Sequence, residues 1–176
     1  GFIPAVLWNR EYRKRVEAST GILPLGIALT RRDGTVSTYR TEILPHTGAN
    51  TALNEKYVER LVKFLLWQRG GSRIIICGED SLPSTISDIY SENGKRSFDW
   101  DLIGTRLYGE PITVESLAYG EMPDDVSPDV ALGRNLDGCR IGFDLGGSDR
   151  KCAALIDGKV VHSEEVGWDP YFQSNP

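Results

Sequence analysis

The sequence predicts an α/β protein in two unequal parts, on three observations. Through residues 1–120 a hairpin signal, an amphipathic helix, an apolar run, a second helical pattern and a strand pattern follow one another, a mixed α/β order. A stretch rich in proline, glycine and acids, Tyr119 to Gly138, then breaks the pattern. Three short strand patterns joined by Gly-Gly and Asp-Gly close the chain. The expected organisation is a mixed α/β domain over 1–120, a linker over 121–138 and a small β unit over 139–176.

Each element has its own signal. In "WNREYRKRVEASTG", Trp8, Tyr12 and Val16 recur every four residues and Gly21 suits the C-terminal end of a helix. Arg10, Arg13, Lys14 and Arg15 form its other face, expected to be solvated. Ile27 and Leu29 alternate before Asp33-Gly34, and Val36, Thr38 and Arg40 alternate after it, which predicts a hairpin over 25–44. "NEKYVERLVKFLLWQRGG" carries a stripe of Tyr57, Leu61, Phe64 and Leu65, widened by Val58, Val62 and Leu66. Asn54 is placed as its cap and Gly70-Gly71 as its end. "RIIICG", Arg73 to Gly78, reads as a strand covered on both faces. Ser81 to Gly94 reads as a helix with Pro83 in its first turn. Phe98 to Tyr108 stays unassigned, and "PITVESL" reads as a strand.

Composition narrows the function. The net charge of −5 argues against a broad basic surface for nucleic acid, and residues 1–120 show no helix-turn-helix pair followed by a wing. No apolar run approaches the roughly 20 residues of a membrane span, and no signal peptide is visible. Cys77, Cys139 and Cys152 form no CxxC pair and read as small apolar residues of a reducing compartment, so a cytoplasmic protein is expected. His46 and His162 lack a second ligand at helical or strand spacing and read as surface residues.

The chemistry concentrates in "IGFDLGGSDRKCAALIDGKVV", Ile141 to Val161. Strand alternation sends Ile141, Phe143 and Leu145 to one face and Gly142 and Asp144 to the other. Gly146, Gly147 and Ser148 make a turn whose backbone N–H groups suit close approach to a phosphate. Asp144 at the strand tip suits a hydrated Mg²⁺, which takes one or two carboxylates plus phosphate oxygens. Arg150 or Lys151 is placed to neutralise phosphate charge. On spacing alone, a plain hairpin explains the same residues equally well. A similar approach to a nucleotide, or an ordinary strand-to-helix turn, is the choice at Gly78.

This stretch resembles the first phosphate-binding hairpin of the ROK family (repressors, open reading frames and sugar kinases) within the actin-like, ribonuclease H-like ATPase superfamily. Asp144, Leu145, Gly146, Gly147, Ser148, Ala153, Ala154, Asp157 and Gly158 match its pattern, over about forty residues, Asp137 to Pro176. The resemblance implies an ATP-dependent sugar kinase with ATP and Mg²⁺ as cofactors. Asp144, Gly146, Gly147, Ser148 and Lys151 would hold the nucleotide phosphates, and Asp144 the metal through water. The implied partner is a small-molecule sugar or nucleotide, with a homodimer left open. Asp149-Arg150 departs from the family's threonine-lysine or threonine-asparagine. Neither the family's catalytic-base aspartate nor its zinc motif is found, so no catalytic residue is assigned and the chain is expected to be part of a longer protein. The alternative is a non-catalytic sugar or nucleotide sensor on the same fold.

Overall fold

A computed structural model describes residues 3–127 and 135–172. The chain divides into two compact units, Gly1–Pro128 and Asp129–Pro176. Both sheets and several helices make it a mixed α/β protein.

In the first unit, α1 (Ala5–Glu17) leads into β1 (Leu23–Thr30) and β2 (Val36–Ile43). The two strands pair antiparallel, Leu23 opposite Ile43 through Thr30 opposite Val36, around a loop closed by Asp33 and Gly34. Gly34 takes φ +83°, and the Asp33 carboxylate accepts the Thr35 N–H at 2.9 Å, which holds its pKa below the usual carboxylate value. Then come α2 (Ala49–Arg69), β3 (Arg73–Cys77), α3 (Leu82–Ile89), a nine-residue π-helix Trp100–Tyr108, and β4 (Thr113–Leu117). The sheet order is β2-β1-β3-β4, with β3 antiparallel to β1 and parallel to β4.

Alternation along β1 and β3 builds two cores. Leu25, Ile27, Leu29, Ile74 and Ile76 face the helices, where they meet Tyr12, Val16, Val58, Val62, Leu66, Leu82 and Ile86. Ala28, Ile75 and Cys77 face the other way and are covered by Met122. Strand β3 is thus apolar on both faces, as its unbroken run predicts.

The segment read as loop or linker is packed over its first residues. Val126 exchanges two backbone hydrogen bonds with Val36 at 2.9 Å each. The Asp125 carboxylate accepts both the Thr38 hydroxyl (2.6 Å) and the Thr38 N–H (2.8 Å), which lower its pKa. Residues 128–134 of the expected linker lie outside the described residues.

Several expectations need correction. Helix α2 begins at Ala49, so Asn54 is no cap. It is buried, accepts the Tyr12 hydroxyl at 2.7 Å and donates to the Leu44 carbonyl at 2.9 Å. His46 is half-buried rather than superficial, its Nδ1 3.1 Å from the same Asn54 amide. Phe64, placed on the core stripe, is 59% exposed, because the adjoining Leu65 and Leu66 take the inward direction. Arg13 is drawn off the solvated face to donate to Thr41 at 2.8 Å and to Tyr57. Helix α3 stops at Ile89, five residues before the expected end at Gly94, since Tyr90 leaves helical geometry to bury its ring. Only Cys77 of the three cysteines is buried; Cys139 is exposed and Cys152 half-buried.

The two most buried tyrosines give a pH signature. Burial pushes Tyr12 up to about 12, and Tyr90 higher still. A raised folded-state pKa means this stability is fully present below the unfolded tyrosine value of roughly 10 and is lost as pH rises through the folded value. Stability is therefore expected to be insensitive to these tyrosines at neutral pH and to fall steeply between about 10 and 12. Far-ultraviolet circular dichroism recorded alongside phenolate absorbance checks this. Titration of both phenols near pH 10 without unfolding would refute it.

Candidate functional site

The second unit is a three-stranded antiparallel sheet: β5 (Cys139–Leu145), β6 (Asp149–Ile156) and β7 (Lys159–Gly167), in that order. Both turns follow from their residues. Asp157 and Gly158 take positive φ, +48° and +78°, the geometry of a tight hairpin turn that Asp-Gly favours. The Asp157 carboxylate also accepts the Gly138 N–H at 2.8 Å. At the other end, Gly146, Gly147 and Ser148 join β5 to β6, with the Gly146 N–H donating to the Asp149 carbonyl at 2.9 Å.

Register sorts the side chains. Asp144 lies opposite Lys151, which lies opposite Glu165. Gly142, Ala153 and Ser163 continue the same face. Together these six residues line most of an open depression of about 490 Å³. Arg150 aligns instead with Leu145 and Val166 on the opposite face, its guanidinium 3.7 Å from Glu164. Lys151, not Arg150, is therefore the cation beside Asp144. On Arg150's face Ile141, Phe143 and Leu145 are all exposed.

Lys151 is not idle. Its ammonium sits 3.3 Å from Asp149 and 3.6 Å from Glu165. Hydrogen bonding to Asp149 raises its pKa most, with further contributions from the Asp149, Glu165 and Asp144 charges. Asp149 also lies 3.4 Å from the Ser148 hydroxyl. Asp149 thus engages two of the groups expected to hold phosphate, Ser148 and Lys151.

The two glycines differ. Neither lies in the left-handed region. A Cβ on Gly146 would meet the Asp149 carbonyl oxygen at 3.0 Å, so glycine relieves crowding there. A Cβ on Gly147 would meet nothing closer than the Tyr171 ring at 3.9 Å. Gly147 is needed neither by backbone conformation nor by packing. Among the described residues, the N–H groups of Gly147 and Ser148 have no acceptor outside the strand ladders.

Sequence reasoning missed Trp168. Its indole N–H donates to the Gly146 carbonyl at 2.8 Å, and its backbone N–H to the Ser148 carbonyl at 3.0 Å. Both bonds hold the turn against the chain that follows β7. The pairing of Asp149 with Gly167 places Trp168 there, a signal legible only once β7 is in register.

The donor set fits a hydrated Mg²⁺ in one respect. Asp144 offers a single exposed carboxylate, enough where phosphate oxygens and water supply the rest. Among the described residues no group of three or more His, Cys, Asp or Glu could hold a metal by itself. At Gly78 packing accounts for the glycine: a Cβ there would lie 2.5 Å from the Pro24 carbonyl oxygen and 3.4 Å from Tyr119. Among the described residues no helix is long and apolar enough to cross a membrane. Compared with protein-family models, curated proteins and solved structures, the chain gives no match.

Proposed function

We propose that the turn at Gly146–Ser148 binds the phosphates of Mg²⁺-ATP, and that the chain belongs to a ROK-like sugar kinase built on an actin-like lobe. The observation that carries this is Gly147, a glycine required by neither φ nor space, beside N–H groups without an acceptor among the described residues and a strand-tip carboxylate at Asp144. In the reaction, a sugar hydroxyl oxygen bonds the γ-phosphorus and gives up its proton to a general base, the bond to the bridging oxygen breaks and ADP leaves with that electron pair. The bound Mg²⁺ would supply charge neutralisation. Gly147 and Ser148 would orient the phosphates by backbone donation, and Asp144 would hold the water shell of the metal.

A second reading has a specific observation in its favour. Asp149 holds Lys151 and places a carboxylate against Ser148, so an incoming phosphate must displace one ion pair and tolerate another negative charge. That favours a nucleotide or sugar sensor with weak or no turnover.

Titration calorimetry with Mg²⁺-ATP, and with ATP plus chelator, tests the nucleotide site. Asp144→Asn is expected to weaken Mg²⁺-ATP about tenfold while leaving metal-free ATP unchanged, and Gly147→Val to abolish both by filling the approach. Unchanged affinity in Asp144→Asn together with a lower melting temperature would make the aspartate structural and end the proposal. Wild-type-like binding without hexose-dependent ADP release selects the sensor.

A further inference from the structure

A second groove lies wholly within the first unit, between α2 and the segment from Thr85 to Arg96. It encloses about 480 Å³, within the range of small-molecule sites, and is lined by Lys56, Arg60, Lys95 and Arg96 against Glu55 and Glu59. The charges do not balance. Glu59 is already neutralised, since Arg96 reaches it at 2.5 Å. Glu55 accepts a long hydrogen bond from the Thr85 hydroxyl, 3.4 Å. Lys56 and Arg60 stand four residues apart on one helix face, a like-charge spacing that costs stability. Both rest on the Trp8 ring, at 4.9 and 5.2 Å from its centre. Among the described residues neither has an ion-pair partner, and Lys95 has none. Arg60 leaves its Nη1 buried with no hydrogen-bond partner among the described residues.

We infer that this groove is an anion site for a phosphate-bearing small molecule, distinct from the glycine turn of the second unit. A phosphate suits it better than a carboxylate. It carries up to two charges and three strong acceptor oxygens, enough for Lys56, Arg60 and Lys95 together. The remaining groove volume, closed by Ala52 and Ile89, leaves space for an organic body on that phosphate.

The test is a ¹H–¹⁵N correlation titration of the chain with inorganic phosphate and with glycerol 3-phosphate, at ionic strength matched by sodium chloride. Both ligands are expected to shift resonances of residues 55–60 and 85–96. Lys95→Gln and Lys56→Gln, which remove the charge and keep most of the aliphatic stem, should each weaken binding about tenfold, and the shifts at residues 55–60 and 85–96 should persist in Gly147→Val. Tighter binding of glycerol 3-phosphate identifies an organic phosphate as the ligand; equal binding identifies the free ion. Identical shifts with chloride, shifts confined to residues 144–151, or full affinity in both lysine variants would overturn the inference.

Discussion

Replacing Arg96 by alanine is expected to cost about 3–5 kcal/mol of folding stability, the usual penalty for stripping the partner from a buried charge. The Glu59 side chain is only 4% exposed. Arg96 donates to it through Nε and approaches it through Nη2, both at 2.5 Å. The neighbouring Asp99 is equally buried and leans on Arg96 at 3.9 Å, on Lys63 at 3.8 Å and on the Trp67 indole N–H at 2.7 Å. This cluster ties α2 to the start of the π-helix. Urea unfolding gives the measurement, and a double variant gives the control. Glu59→Leu with Arg96→Met should recover most of the loss, because it removes the uncompensated carboxylate with the guanidinium. A double variant as unstable as the sum of the singles would place the cost in packing instead.

The second large effect is expected at Gly78. Its φ of +108° lies beyond what a side-chain-bearing residue readily adopts, and an added Cβ would lie 2.5 Å from the Pro24 carbonyl oxygen. Strain and the forced displacement of β1 together should cost about 3 kcal/mol or more in Gly78→Ala, a melting temperature lower by roughly 10 °C. Gly109 is the matched control. It also has positive φ, +71°, but a Cβ there meets nothing within 4 Å, so Gly109→Ala should lose only about 1 kcal/mol. Equal losses at the two positions would show that conformation alone, not the approach of β1, sets the cost. Nucleotide affinity per folded molecule should be unchanged in both.

The elements that could be read from sequence are those whose apolar residues repeat with one period. The hairpin at Asp33-Gly34, α2 and β3 belong here. The π-helix does not. Its winding moves inward residues off the α-helical period, and Trp100, Ile103, Gly104 and Tyr108 make no familiar stripe. Polar burial was equally hidden. Nothing in the spacing says that Tyr12, Asn54, Thr41 and Tyr57 will meet, because they come from three elements distant in sequence. In the candidate site, alternation placed Asp144 on the face opposite Ile141, Phe143 and Leu145 but left Arg150 and Lys151 open as its cation, which the register of β5 against β6 decides. The roles of Asp149 and Trp168 depend on the register of β7 against β6, which no local pattern encodes.

Met122 is the only methionine in the 176 residues, and it closes the sheet face opposite the helices. Its thioether lies where a side chain on Gly26 would stand, within reach of the Cys77 Cβ side of β3. A chain labelled with ¹³C only at methionine methyl groups therefore yields one resonance. That single line is a spectroscopic reporter of whether residues 119–127 are seated on β1 and β3, readable without assigning any other signal.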